Sequence, residues 1–391
     1  MAKALTKEQM SLIKSSAPVL AEYGTAITKC FYSNLFNAHP ELLHLFNHSN
    51  QKQTKQQQAL ANTLYAAAAN IEQLESLLPV VRQIAQKHRS LQVKPEHYPI
   101  VGHHLLAAIK EVLGNDASDE LIEAWEVAYG IIAEIFISVE KEMYQEVQEQ
   151  EGGWSGYRRF TVKKKKPETS LVTSFYLVPE DGQTIPLYVP GQYITIKGYS
   201  QDEDDEYTHL RQYSLSDAPN QEYFRLSIKR DGTVSTYMHQ QVEEGATVEL
   251  TAPAGEFVTD LDGDDELVLI SAGIGITPLM SMAKGALRAK RTRSVHFLHA
   301  TTHKEAHVFF NEVEQLEETY SSFKRDVFYS EEDSRRITTE DINQAVRPNQ
   351  KQQFYICGPE AFIQDISEAL REAGVSNDHV HVEVFTPRIP V

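Results

Sequence analysis

Cysteine is almost absent: the 391 residues hold two, Cys30 and Cys357, near opposite ends of the chain. Such a pair builds neither a disulfide framework nor a multi-cysteine zinc site, and it fits a reducing compartment. Long apolar runs are missing too. The longest uncharged stretch, Leu267 to Ala283, is interrupted by Gly273, Gly275 and Pro278, and residues 1–10 lack the apolar core of a secretory signal. Neither stable membrane insertion nor export is expected, and the chain reads as cytoplasmic. Positive charge is in deficit: 37 Lys and Arg stand against 55 Asp and Glu, a formal charge of -18. Nucleic acid would be repelled by most of that surface. No internal repeat is visible, and the runs Lys163 to Lys166 and Asp202 to Glu206 read as a solvated strand and a solvated loop. No obligate protein partner is evident.

What is present is ordinary globular material, 41% hydrophobic and 24% charged, long enough for two or three domains. From Lys7 to about Gln150 apolar residues recur at three and four, the pattern of an all-α domain. The pattern stops at Glu151-Gly152-Gly153-Trp154-Ser155-Gly156, a helix terminator and linker. Beyond it the period becomes two, with strands expected at Leu171 to Val178, Gln192 to Lys197, Gln212 to Leu215 and Phe224 to Lys229, which suggests a small antiparallel barrel. The last third alternates: strands at Glu266 to Ser271, Ser294 to His299 and Phe354 to Cys357, and helices at Pro278 to Ala289, Lys304 to Thr319 and Glu360 to Ala373. That order predicts a parallel α/β sheet. The expected division is 1–150 helical, 154–262 barrel and 263–391 α/β.

In the helical part, the stripe Leu77, Val81, Ile84 continues to His88, so the imidazole faces inward. A lone inward histidine is most simply a core residue bonded to a carbonyl. On the last long helix, however, Ile122, Trp125, Tyr129, Ile132 and Phe136 lead to Glu140, and Tyr98 follows a Pro-containing turn ten residues after His88. An inward His, Tyr and Glu suit a metal ligand with an outer shell that fixes its tautomer. Thr28, Tyr32 and Phe36 share another helical face, Phe46 follows the Pro40 turn, and Gln56 and Leu60 lie four apart.

In the barrel, Arg211-Gln212-Tyr213-Ser214 offers a guanidinium for a pyrophosphate, a phenol ring for an isoalloxazine and a hydroxyl for its redox-active nitrogen. Pro190-Gly191-Gln192-Tyr193 precedes it, and Gly232-Thr233-Val234-Ser235 opens a short helix whose N-terminus suits phosphate. In the α/β part, Gly273-Ile274-Gly275-Ile276-Thr277-Pro278 links a strand to a helix, and Cys357-Gly358-Pro359 closes a later strand. Glycines in such turns let backbone N–H groups approach a nucleotide. Two glycine turns at one sheet edge are more specific than either alone.

Phe31-Tyr32, Asn34 to Phe36, Pro40-Glu41-Leu42, Phe46-Asn47, Ile84 to His88, Lys94-Pro95-Glu96, Tyr98 and Ala128-Tyr129-Gly130 resemble the globin domain of bacterial flavohaemoglobins. The later motifs are similar to those of the ferredoxin reductase family, and together the resemblance to flavohaemoglobins spans essentially the whole chain. It implies haem b, FAD and NAD(P)H as cofactors. It makes His88 the proximal ligand of the haem iron, Tyr98 and Glu140 its proximal network, Tyr32 and Gln56 the distal polar pair, Leu60 a distal apolar contact, and Phe46 and Lys87 haem neighbours.

For FAD the resemblance implies Tyr193, Arg211, Gln212, Tyr213, Ser214, Val234 and Ser235, with Phe385 of Val384-Phe385-Thr386-Pro387 as the terminal aromatic shield. For NAD(P)H it implies Gly273 to Pro278 and Cys357 to Pro359. Ile276 stands where a Gln is common, and no residue decides between NADH and NADPH. The implied activity is nitric oxide dioxygenation: NO and haem-bound O2 give nitrate, and NAD(P)H re-reduces the ferric haem through FAD. The alternatives are a flavin or ferric reductase, which leaves the globin unexplained, and a gas-sensing or oxygen-binding globin, which leaves the reductase part unexplained.

Overall fold

The computed structural model describes residues 4–46, 55–200, 207–332 and 334–385. Asn47, Asp202 to Glu206, Thr386 and Pro387, all cited above, lie outside them. The described residues form two compact units, one running up to Gln148 with 207–210, the other from Glu149 to Phe385 without that segment.

The first unit is helical: α1 (Lys7–Ala38), α2 (Lys55–Ala69), α3 (Leu78–Ser90), α4 (His97–Leu113) and α5 (Asp119–Glu149). Thr6 starts α1 through a capping box, its Oγ1 accepting from Gln9 N at 3.1 Å while Gln9 Oε1 accepts from Thr6 N at 3.0 Å. α1 and α2 cross closely because Gly24 has no side chain: a Cβ there would stand 3.1 Å from Ala61 Cβ. Thr28 Oγ1, fully buried, donates to the Gln57 carbonyl at 2.9 Å and pins the same crossing. α4 and α5 meet at Gly102, where an added Cβ would strike the Tyr129 ring. Ile13, Ile27, Leu35, Leu105, Ile109 and Trp125 fill the core between these helices.

The second unit begins with the strands β1 (Arg158–Pro167), β2 (Val172–Pro179), β3 (Tyr193–Tyr199), β4 (Thr208–Ser214) and β5 (Phe224–Lys229). It continues through helix α6 (Thr233–Gln240) and strand β6 (Thr247–Leu250). The strand order is β4-β3-β6-β1-β2-β5. Leu215, just past β4, bridges antiparallel to Leu226 of β5, which brings the two ends of the sheet together as a barrel. β1 carries the lysine run, and only Lys163 and Lys164 are solvated. Lys165 and Lys166 are half-buried, paired with Glu243 and Glu168 at 2.9 Å each.

There follow β7 (Glu266–Ala272), α7 (Ile276–Ala289), β8 (Val295–Thr301), α8 (Phe310–Thr319), β9 (Phe323–Tyr329), α9 (Thr339–Ala345), β10 (Gln352–Cys357), α10 (Glu360–Glu372) and β11 (Val380–Glu383). All pairings are parallel, in the order β11-β10-β7-β8-β9. The order reverses between β7 and β10, the topological switch point where doubly wound sheets bind ligands. One expected helix is corrected. Lys304 to Thr319 is not continuous: Lys304–Ala306 is a 3-10 turn, and Phe309 takes φ 62° and ψ 24°, a left-handed conformation that no right-handed helix contains. β9, α9 and β11 were not expected.

Candidate functional site

In α3 the inward stripe begins at Val81, since Leu77 ends the 3-10 turn before the helix, and it runs through Ile84 to His88. The helix stops just beyond: Gln92 adopts φ 63° and Val93 N donates to the His88 carbonyl at 3.0 Å. The short turn that follows brings Tyr98, at the start of α4, back beside His88.

Glu140 arrives from α5, 2% exposed as a residue. His88 Nδ1 lies 2.7 Å from Glu140 Oε1 and 3.2 Å from the Tyr98 hydroxyl, and that hydroxyl donates to the same Oε1 at 2.5 Å. The carboxylate therefore holds the proton on Nδ1, which leaves the Nε2 lone pair outward. Burial, then Glu140, drives the Tyr98 phenol pKa upward, so it stays a donor. Phe136 packs on the imidazole at 5.6 Å, and Tyr129 donates to the Tyr98 carbonyl at 2.7 Å. Nε2 has no hydrogen-bond partner among the described residues, although 31% of the His88 side chain is exposed. One anchored imidazole with an unengaged nitrogen, amid apolar side chains, fits an axial ligand of haem iron.

Tyr32, 6% exposed, stacks on Phe36 at 5.7 Å and meets the edge of Phe46 at 5.7 Å. Leu60 joins the same apolar cluster, and Gln56 and Leu60 share a face of α2, both half-buried. His88, Tyr98 and Glu140 gather around a second cluster that includes Ala85 and Phe136, with Tyr129 common to both. Lys87 is exposed beside His88.

Arg211, Gln212, Tyr213 and Ser214 are all half-buried at the end of β4, next to β3. Burial lowers the Arg211 pKa and raises that of Tyr213. Gln212 Nε2 donates to Thr195 Oγ1 on β3 at 3.4 Å, which holds the two strands in line. Tyr193 lies over Gly255, where a Cβ would stand 3.0 Å from its ring. α6 rests on β3 because Gly198 admits Val234: a Cβ there would be 2.6 Å from Val234 Cγ1. The Ser235 hydroxyl accepts from Asp231 N at 2.9 Å and Gly232 N at 2.8 Å, so it shapes the turn that opens α6. Phe385 follows β11 and is 51% exposed, with no hydrogen bond or ring contact to another described residue.

At the switch point, Cys357 pairs with Ser271 across β10 and β7, and the two glycine turns leave side by side. A Cβ on Gly275 would strike the Cys357 carbonyl and stand 2.8 Å from Gly358 N, so this glycine is required by the protein's own packing. Gly273 differs: its φ of 54° disfavours a side chain, yet nothing stands within 4 Å of a Cβ there. Ile276, Thr277 and Pro278 are buried in the core, which leaves Gly273, Ile274, Gly358 and Pro359 as the accessible rim. An open backbone cradle at a switch point fits a dinucleotide. Phe136, Tyr129 and Gly255 were not singled out as site residues; the first two stood on the α5 stripe, and nothing in the sequence marked the third.

The globin family matches residues 29–136, and the oxidoreductase NAD-binding domain family matches residues 269–368. The flavohemoprotein of Bacillus cereus is 46% identical over 400 residues, covering 98% of both chains. Flavohemoprotein A of Dictyostelium discoideum is 43% identical over 395 residues, again covering 98% of both. The crystal structure of flavohemoglobin from Malassezia yamatoensis, with bound FAD and heme, superposes with a TM-score of 0.87 at 27% identity, covering 98% of this chain and 100% of that one. The flavohem-like FAD/NAD binding domain of nitric oxide dioxygenase from Vibrio cholerae gives 0.54 at 35% identity, covering 58% of this chain and 98% of that one. With a helical globin, an antiparallel barrel and a parallel α/β sheet in one chain, and relatives matched over nearly their full length, the protein belongs to the flavohemoprotein family.

Proposed function

We propose that this protein is an NAD(P)H-driven nitric oxide dioxygenase that converts NO and O2 to nitrate in the cytoplasm, through domains at 1–150 for haem b, 154–262 for FAD and 263–391 for NAD(P)H. Bound haem supplies a one-electron centre for O2, and bound FAD turns a two-electron hydride into single electrons. The observation that supports this most strongly is the His88–Glu140 pair, 2.7 Å apart in a buried setting. Glu140 and Tyr98 orient His88 so that its Nε2, made more basic, would hold the haem iron.

Tyr32 and Gln56 are assigned to donate hydrogen bonds where negative charge develops on the oxygen substrate, while Leu60 and Phe46 exclude water and Lys87 flanks the haem edge. Arg211 pairs with the FAD pyrophosphate, Tyr193, Gln212, Tyr213 and Ser214 hold the isoalloxazine, and Val234 and Ser235 place the α6 N-terminus at phosphate. Phe385 would cover the flavin, and of the turns Gly273 to Pro278 and Cys357 to Pro359 the rim of Gly273, Ile274, Gly358 and Pro359 would receive the nicotinamide nucleotide, with Gly275 to Pro278 and Cys357 holding that rim from the core. The test is the visible spectrum of the purified protein followed by titration with NADH and NADPH. A haem Soret band with a flavin shoulder, both bleached or shifted by the reductant, supports the assignment, and flavin absorbance alone reduces the protein to a flavin reductase.

A further inference from the structure

Within the second unit, four charged groups join the barrel to the α/β sheet, Arg225 and Asp217 buried and Lys284 and Glu312 half-buried, and none belongs to a cofactor motif. Arg225, on β5 and 1% exposed, donates from Nη1 to both carboxylate oxygens of Glu312 on α8, at 2.7 and 2.9 Å. Lys284, on α7, bonds Glu312 Oε2 at 3.0 Å and also pairs with Asp217 of the barrel. Asp217 Oδ2 lies 3.9 Å from Arg225 Nε and accepts from the Tyr223 hydroxyl at 2.9 Å. The charges of these four balance, two cations against two anions, and Lys166, paired with Glu168 at 2.9 Å, stands 3.9 Å from Glu312 Oε1 at the edge of the cluster. Burial opposes ionisation of Asp217, but Arg225 and Lys284 outweigh it and hold the carboxyl at about 2.

The attachment points connect this cluster to both cofactor motifs. Arg225 Nε donates to Ser216 Oγ at 3.2 Å, its Nη2 bonds the Ser216 carbonyl, and its own carbonyl accepts from Ser216 N at 3.0 Å. Ser216 stands two residues after Ser214, the end of the flavin motif. On the other side, Lys284 projects from the helix whose first turn is Ile276-Thr277-Pro278. The guanidinium also covers the Phe309 ring at 4.5 Å, where the left-handed backbone turns the chain into α8 and sets Glu312. α7 itself lies hard against the barrel: a Cβ on Gly285 would stand 2.9 Å from Pro190 Cγ.

We propose that Arg225, Glu312, Lys284 and Asp217 act together as positioning residues for hydride transfer, fixing the nicotinamide turn on α7 against the flavin strand β4. This rests on the reading of these two motifs as FAD and NAD(P)H sites. Salt bridges in a low-dielectric interior hold a geometry more sharply than apolar contacts, because displacement leaves a charge uncompensated. A small misplacement of two reacting groups slows their reaction steeply.

The test compares wild-type holoprotein with Glu312→Gln, Lys284→Met and the paired variant Arg225→Met/Glu312→Leu, which removes one cation with one anion and leaves Asp217 with Lys284. Expected for the paired variant are unchanged FAD content, normal flavin reduction by dithionite, and stopped-flow flavin reduction by saturating NADH slowed about tenfold to a hundredfold. The primary deuterium isotope effect from 4-deuterated NADH should rise as hydride transfer becomes fully rate-limiting. Glu312→Gln should show a smaller loss of the same kind. If the variants fold, hold FAD and are reduced at the wild-type rate, with only their melting temperatures lowered, the cluster is structural and the proposal is overturned. If the paired variant does not fold, Glu312→Gln and Lys284→Met decide by the same criterion. If the wild type itself is not reduced by NADH or NADPH, the cofactor reading fails, and this inference with it.

Discussion

The Glu140 carboxylate oxygen Oε1 accepts from the His88 imidazole at 2.7 Å and from the Tyr98 phenol at 2.5 Å, so one buried atom orients two side chains from two other helices. A carboxylate removed from water requires such donors, and the imidazole in turn requires an acceptor to keep its proton on Nδ1. The three groups are therefore interdependent.

Glu140→Gln is expected to keep the packing and lose the charge. Haem affinity should fall about tenfold to a hundredfold, the usual effect of removing an outer-shell partner of a metal-bound histidine. Competition for haem with an apo-globin measures this. His88→Ala should abolish haem retention while FAD content and NADH-driven reduction of a soluble dye persist; full haem content in that variant, with an unchanged histidine-ligand spectrum, excludes His88 as the ligand.

Gly275→Val and Gly273→Ala should behave differently although both lie in one turn. A side chain at Gly275 collides with the Cys357–Gly358 backbone, so overpacking should destabilise the sheet by about 1–3 kcal/mol and slow flavin reduction by NAD(P)H severely. At Gly273 the space is open and the strain comes from φ 54° alone, so the effect should be milder. In both, dithionite-reduced protein should bind CO normally. Gly275 is right-handed at φ -59°, so its effect can come only from the contact with Cys357 and Gly358; an effect at Gly275 no larger than that at Gly273 would show that this contact is not what matters.

Much of this was legible in the sequence because periodicity carries direction. A stripe ending in His88 and another ending in Glu140 point both groups inward, and the structure brings them together. The glycine turns after β7 and β10 were legible as turns, though their mutual contact was not, since strand order is not written locally. The break at Phe309 was hidden because a non-glycine residue in the left-handed region has no composition signal, and the surrounding charged residues look like a continuous amphipathic helix. β9, Phe-Lys-Arg-Asp-Val-Phe-Tyr, alternates poorly because it is a sheet edge strand with charged side chains. The Arg225–Glu312 pair, 87 residues apart, had no signal at all.

Stability of the second unit should depend on pH through its buried histidines, His296, His299 and His307, each lowered by burial, and most strongly through the last two. His299 is fully buried with its Nδ1 2.8 Å from Ser271 Oγ, and its ring lies 4.8 Å from that of His307, tilted by 35°. Burial, then the proximity of His307, pushes the His299 pKa well below its ordinary value, and burial with Arg325 and Lys304 pushes His307 to about 4. Between about pH 6.5 and 4 the unfolded chain binds more protons than the folded one, so stability falls as pH is lowered across that window. His307 alone should contribute about 3 kcal/mol of that loss. Urea unfolding at several pH values should show the slope, and His307→Gln should flatten it. Asp217, held at about 2, adds its own loss only below about pH 4. A slope unchanged by His307→Gln would contradict the assignment.

Tyr32→Phe retains the ring that packs between Phe36 and Phe46, so fold and haem content should hardly change. Removing a buried donor to developing charge typically costs about 2–4 kcal/mol, which predicts O2 dissociation roughly tenfold to a thousandfold faster. Flash photolysis measures it. An unchanged rate would make Tyr32 a packing residue only.

NO turnover tests the proposed activity most directly. With purified holoprotein in air-saturated buffer, NADH or NADPH should support NO consumption at an electrode. Nitrate should form mole for mole with NO lost, and about one nicotinamide should be oxidised per two NO, since a hydride carries two electrons and each turnover takes one. NAD(P)H oxidation that proceeds at the same rate with and without NO, with no nitrate formed, would contradict it and leave a flavin reductase joined to an oxygen-binding globin.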